Sequence, residues 1–282
     1  AAKLVFVRDK RKKDWLALLS TDTALPDTDI VRIYGKRWDI EVFFKMAKQH
    51  LKLAKEIQCR DYDALIALVR RQRPDVVMAV EVDQPWIDAL ESELAGEYPD
   101  WIKVPKDNTY GICVMSRLPL SEAEVREVVT QGVPSVRTAV TLGSGAQVRL
   151  YVVHPEPPVF HHDTKGRDSE IAHVGIEAAH DALPAIVTGD LNDVAWSRTT
   201  RSFQRLSGLL DPRVGRGFFN TFHAFYWWAR WPLDHLFHDP QFRLVDMARL
   251  EKIGSDHFPM MFRLALADRP MESIDAGSAD PA

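Results

Sequence analysis

Apolar runs in this chain are short, and most of them stop at a charged, amide or imidazole side chain. Lys3–Val7 and Leu16–Ser20 are two such runs separated by the charged turn Arg8–Lys13, which predicts a β-hairpin. Pro26-Asp27-Thr28 offers a helix start with Asp27 or Thr28 as the N-cap. Ile30, Val31, Tyr34, Trp38, Val42 and Phe43 then supply the apolar positions of a helix from about Asp29 to His50. From Ala64 the pattern changes. Ala64–Arg71 reads as the end of an amphipathic helix broken by Arg73-Pro74-Asp75, and Val76–Val80 is a buried strand ending in Glu81. Trp86–Leu94 is helical, and Gly111–Met115 is a strand before the turn Ser116–Leu120. Val148–Val153 is a strand ending at His154 and followed by the proline-rich loop Pro155–Pro158. Asp168–Ala182 is a helix, Ala185–Thr188 a strand ending in Gly189-Asp190, and Leu233–Phe237 and Met260–Leu266 are further strands. Asp268–Ala282 is a polar, small-residue tail with no core-forming pattern, expected to be disordered. Strands alternating with helices indicate an α/β protein, and the short strands without a helix between them allow antiparallel pairing.

Composition narrows the class. With 46% hydrophobic and 27% charged residues the chain is an ordinary globular one, which excludes a largely disordered protein. No run approaches the roughly 18 apolar residues of a membrane span. Cys59 and Cys113 are the only cysteines, too few for a disulfide scaffold or a multi-cysteine zinc site. With no readable signal peptide, a reducing, cytoplasmic setting is the expectation. The net charge of −4 is uneven: residues 1–62 carry 14 Lys/Arg against 9 Asp/Glu, and the remainder 22 against 31. A basic end joined to an acidic body suggests two units.

Candidate chemistry sits where strands end. In an extended segment residues i and i+2 point the same way, so Asp190 and Asn192 can face one site. Their carboxylate and amide oxygens are hard donors, suited to Mg2+ or Mn2+ rather than zinc. Glu81, His154, Asp234-His235 and Asp256-His257 occupy comparable positions. A phosphoester is anionic and resists attack, so its hydrolysis needs a cation, donors on the non-bridging oxygens and a base for water, which these residue types supply.

The order of these pieces resembles the endonuclease/exonuclease/phosphatase superfamily, with its deoxyribonuclease I-like fold, over roughly residues 64–266. The pieces are Arg73-Pro74-Asp75-Val76-Val77 leading to Glu81, Asp107-Asn108-Thr109-Tyr110-Gly111 and Ser116-Arg117-Leu118-Pro119-Leu120, then His154-Pro155-Glu156-Pro157-Pro158 and Gly189-Asp190-Leu191-Asn192-Asp193. Pro232-Leu233-Asp234-His235 and Gly254-Ser255-Asp256-His257-Phe258-Pro259 complete them. The resemblance implies a two-sheet α/β sandwich and a Mg2+- (or Mn2+-) dependent phosphodiesterase, phosphatase or nuclease. It makes Glu81 the principal metal ligand, with Asp256 in the metal or water shell. Asp190 would orient or deprotonate the attacking water beside Asn192. His154 and His257 would donate to the phosphate, with Asp234 orienting His257, and Asn108 and Tyr110 would contact substrate. His161, His162, His173, His180, His223 and His238 match no motif and are expected in surface or core roles. The aromatic stretch Phe218–Trp231 is of a kind that packs beside a site or stacks bases of a nucleic acid.

Tyr34, Arg37, Glu41 and Lys48 fall in one stripe of the expected N-terminal helix. Ion pairing on such a face is worth only a few tenths of a kcal/mol. Together with Leu18–Thr23, Ile33–Glu41 and Arg60–Ala64, this spacing resembles the region around the third acidic residue of insertion-sequence DDE transposases. That resemblance implies a β-hairpin plus long helix from a ribonuclease H-like domain, with Glu41 as the triad glutamate and Tyr34, Arg37 and Lys48 contacting DNA. One carboxylate cannot hold two metal ions, so transposition by this piece alone is not expected. The chain therefore reads as a fusion: a transposase fragment over 1–66, a phosphoesterase over 67–267 and a tail over 268–282. The superfamily normally opens with a strand bearing a phosphate- and metal-holding Asn. The first asparagine here is Asn108, so that strand and ligand are expected to be missing, with Lys3–Val7 or Leu16–Ser20 as candidate substitutes and weak activity as the consequence.

Overall fold

A computed structural model of the protein describes residues 2–8, 15–33, 62–157 and 164–267. The chain divides into two compact units, Ala1–Glu56 and Ile57–Ala282. In the first, β1 (Lys3–Arg8) pairs antiparallel with β2 (Trp15–Ser20) from Lys3↔Ser20 to Arg8↔Trp15, the hairpin expected from two apolar runs flanking a charged turn. Residues 27–33 are helical (α1), and Ile30 packs with Val5 and Leu18 in a small core. Tyr34, Arg37, Glu41 and Lys48 lie outside the described residues, as does the remainder of the expected helix.

The second unit is a two-layer sandwich. One layer is a five-stranded sheet in the order β10-β9-β8-β7-β6: β6 (Leu120–Arg126), β7 (Ser135–Thr141), β8 (Gln147–Val152), β9 (Ala185–Asp190) and β10 (Asp234–His238). The other layer contains a three-stranded sheet in the order β3-β5-β4, built from β3 (Val76–Val80), β4 (Asp100–Val104) and β5 (Ile112–Ser116). It also contains the hairpin of β11 (Phe242–Arg249) and β12 (Met260–Leu266). Ile112, Val114, Val136, Val148, Leu150 and Val152 fill the space between, with Val76, Met78, Phe242 and Leu264 joining the same cluster. Helices α2 (Tyr62–Gln72) and α3 (Gln84–Leu94) back the three-stranded sheet through Ile66, Val69, Leu90 and Leu94, while α4 (Lys165–His180) and α5 (Arg198–Ser207) back the five-stranded sheet through Ile171, Val174 and Phe203.

Sheet order explains two features. β5 has a strand on each side and is buried at all five positions, but the equally apolar β3 is only half-buried throughout. Such a run belongs in a sheet interior, yet among the described residues β3 pairs only with β5 and β12 only with β11. Within the first unit the hairpin β1–β2 forms its own two-stranded sheet. Second, β8 and β9 are parallel, with α4 in the crossover between them. Parallel neighbours end on the same side, so His154 and Asp190 emerge together.

Candidate active site

Each acidic or imidazole group of the site is set by a strand end. Glu81 follows β3 in the left-handed region (φ 61°), turning the chain sharply at the sheet margin. Val82 then pairs with the loop bearing Tyr110: its carbonyl accepts Lys106 N–H at 3.2 Å, and its N–H donates to the Gly111 carbonyl at 3.4 Å. Only glycine permits this approach, since a Cβ on Gly111 would lie 1.8 Å from the Val82 carbonyl oxygen. Gly189 does the same for Asp190. Its φ of +142° and the 1.9 Å that a Cβ would leave to the Val153 carbonyl oxygen lock the end of β9 against the residue before His154. Replacing Gly189 by Ala should lower unfolding free energy by about 2–5 kcal/mol, from overpacking plus a disfavoured backbone conformation. Urea denaturation of the variant measures it, and a loss under 1 kcal/mol would show that the contact is not fixed.

The result is convergence. His154 Nε2 lies 3.9 Å from Glu81 Oε1 and 4.0 Å from Asp190 Oδ2, and His257 Nε2 lies 3.7 Å from the same Asp190 oxygen. Asp190 Oδ1 accepts the Asn192 N–H at 2.8 Å, and the Asn192 amide donates to the Pro155 carbonyl at 3.1 Å, tying two loops together beneath the site. Asn192 itself is left-handed, at φ 50°. Asp190 and Asp234 face each other directly across β9 and β10, a register that places two carboxylates side by side. His257 resolves the repulsion, because its Nδ1 bonds Asp234 Oδ2 at 2.7 Å while its Nε2 faces Asp190. Burial opposes charge on this imidazole, but Asp234 and Asp190 prevail and push it up to about 10. Burial acts to raise Asp234, yet His257 holds it below the ordinary carboxylate value. The pair is an ion pair at neutral pH.

The neighbouring His235 is different. Burial and Arg213 push it down to about 3, and it is fixed between Arg213 Nη2 (2.6 Å) and the Asp193 carbonyl (2.9 Å) as a neutral structural group. Tyr110 stands over His154, with ring centroids 5.8 Å apart. Burial, then Glu156, Glu81 and Glu170, raise its hydroxyl, so it is a neutral donor. Asn108 is exposed, and its side chain accepts the Tyr110 N–H at 3.4 Å, shaping the loop. Of the unassigned histidines, His173 and His180 are exposed on α4, His238 is buried, and His161 and His162 lie outside the described residues. His223 is buried in the aromatic loop against Phe222 and Tyr226.

Three residues around the site have no role assigned from sequence: Arg167 and Glu170 fall in no motif, and Asp193 only closes the Gly189–Asp193 one. Arg167 is buried and donates to the Asn192 carbonyl at 2.8 Å, holding the turn after Asp190. Asp193 accepts from Ser197 and from Thr200 Oγ1 (3.1 Å), anchoring the start of α5 behind the same turn. Glu170 is 1% exposed, and burial with Glu156 pushes its carboxyl up to about 7.

Asp256 adds negative charge near His257, and its carbonyl accepts the Ala224 N–H at 2.7 Å. Among the described residues no three His, Cys, Asp or Glu groups are placed to enclose a metal ion, so Glu81 and Asp256 are not brought into a closed cage. The donors present fit a magnesium-type ion, which is commonly held by one or two carboxylates and completes its shell with waters and substrate phosphate.

Residues 57–257 match the Endonuclease/Exonuclease/phosphatase family. No curated protein matches the chain. Solved structures with a similar fold include D. rerio TDP2 complexed with a single-strand DNA product (TM-score 0.64, 19% identity, covering 75% of this chain and 94% of that one). The mannosyl-6-phosphatase of Bacteroides thetaiotaomicron VPI-5482 gives a TM-score of 0.57 at 20% identity, covering 73% and 91%. The human Nocturnin catalytic domain with bound sulfate gives 0.58 at 14%, covering 73% and 86%.

Proposed function

Since this chain belongs to the Endonuclease/Exonuclease/phosphatase family, we propose that it is a divalent-metal-dependent phosphoester hydrolase whose site is assembled from Glu81, His154, Asp190, Asn192, Asp234 and His257. The observation that carries this reading is the approach of His154 and His257 to one oxygen of Asp190, at 4.0 and 3.7 Å, with Glu81 beside them. Glu81, and Asp256 through water, would hold a magnesium-type ion, which when bound neutralises phosphate charge and polarises the phosphoryl group. Asp190 accepts the proton of the attacking water at Oδ2, its other oxygen being occupied by the Asn192 N–H. His257, kept cationic by Asp234, donates to a phosphate oxygen as charge builds there, and His154 donates from the opposite loop. Tyr110 closes the wall over His154. Hydrolysis of bis(p-nitrophenyl) phosphate with Mg2+ tests the reading, and no turnover above the Asp190→Asn variant would overturn it.

The charge state of His257 gives a pH test. Its raised pKa means that the stabilisation it provides is fully present below about 6.5, the unfolded value, and is lost as pH rises through about 10. Asp234 has the opposite sign: its contribution is present above the usual carboxylate value and lost as pH falls through its depressed one. The alkaline limb of kcat/KM should therefore lie near 10. Asp234→Asn should move it down by more than one pH unit, and an unmoved limb would show that another group titrates.

A further inference from the structure

The aromatic loop is pinned at its base to the site. Phe222 bridges both Trp231 and His257, and Phe258 N–H donates to the Thr221 carbonyl at 2.9 Å. Phe258, the residue after His257, carries two guanidinium groups on its ring. Arg249, from the end of β11, has its guanidinium carbon 4.5 Å from the ring centroid, and Arg230, from the loop, 4.9 Å. Arg249 Nη1 also donates to the Asn220 carbonyl at 2.8 Å. Among the described residues neither arginine has a carboxylate within ion-pairing distance, and Arg230 Nε is buried with no hydrogen-bond partner. Burial and the charge of Arg230 hold Arg249 below its ordinary value. Lys252 adds a third cation, 3.4 Å from the centroid of Phe225 on the same loop.

Two guanidinium groups held against one ring without a counter-ion repel each other, and this occurs in an otherwise acidic body. An anion beside these guanidinium groups would offset that repulsion, and the guanidinium fork matches phosphate geometry. We infer that Arg230 and Arg249, stacked on Phe258, form a subsite for a second phosphate of the substrate, beside the one held by His257. The site then takes phosphoesters carrying a further phosphate nearby in preference to isolated ones. The inference rests on the phosphoesterase reading for what the first phosphate undergoes.

Calorimetric titration of the intact protein, without added divalent ion, separates the two. Thymidine 3′,5′-bisphosphate should bind at least about tenfold more tightly than thymidine 5′-monophosphate. Arg230→Gln and Arg249→Gln should each cut that affinity ratio by about tenfold, and a ratio taken on one preparation is insensitive to its misfolded fraction. Glucose 1,6-bisphosphate tests the carrier: binding equal to that of the thymidine compound assigns recognition to the paired phosphates, and preference for the thymidine compound assigns a nucleotide source. Equal affinity for mono- and bisphosphate, or a ratio unchanged in both variants, overturns the subsite. Absence of hydrolysis with Mg2+ overturns the phosphoesterase reading while leaving the affinity ratio to decide the subsite.

Discussion

Glu81→Gln should lower Mg2+-supported hydrolysis by at least about a thousandfold while leaving the fold intact. The substitution keeps shape and hydrogen-bonding capacity but removes the charge that would hold the cation, and loss of about 4 kcal/mol of transition-state stabilisation corresponds to that factor. The side chain is 45% exposed, so losing its charge should not leave a buried unpaired group. EDTA should give a comparable loss in the wild type, restored by Mg2+ or Mn2+. Activity that survives EDTA, or a Gln variant within tenfold of wild type, would remove the metal from the mechanism.

The second large effect concerns β3 and β12, each of which has a strand on one side only among the described residues. We expect the natural chain to hydrolyse a generic phosphodiester at least about a hundredfold more slowly than a chain in which residues 1–63 are replaced by a relative's opening strand ending in Asn. A strand beside β3 would cover its half-buried apolar residues and pair the backbone groups of β3 that have no strand partner among the described residues. Its terminal Asn would add one donor to the phosphate site, and a single such donor is typically worth about 2.7–4 kcal/mol. Turnover of the two chains under the same Mg2+ concentration decides the matter. Equal rates would mean that neither strand nor Asn is needed.

Much of this architecture was legible along the chain. Val76–Val80 followed by Glu81, Val148–Val153 followed by His154, and Ala185–Thr188 followed by Gly189-Asp190 are local patterns, and the observed strands match them to within two residues at each end. β4, β6, β7 and β11 were not anticipated. β6, Leu-Ser-Glu-Ala-Glu-Val-Arg, is largely exposed, and β11 has Asp246 near a register shift, so neither shows an uninterrupted apolar period. Helix α5 is dominated by polar residues and is held by the Ser197 cap and by Phe203 packing on Phe237, a partner 34 residues away.

The sequence by itself determined which side chains terminate the strands and that oxygen and imidazole donors recur there, because strand period and side-chain chemistry are properties of neighbouring residues. It left open how those ends meet. That Asp190 opposes Asp234 follows from the antiparallel register of β9 and β10, and that His257 bridges them follows from the loop closure before β12. That His154 and Asp190 emerge together follows from parallel pairing of β8 and β9 across the α4 crossover. The pairing of Arg230 with Arg249 on Phe258, and the neutrality of His235 beside a cationic His257, likewise have no trace in residue spacing. These depend on distances and burial set by packed layers, where a charge is raised or suppressed by groups that are remote in sequence and adjacent in space.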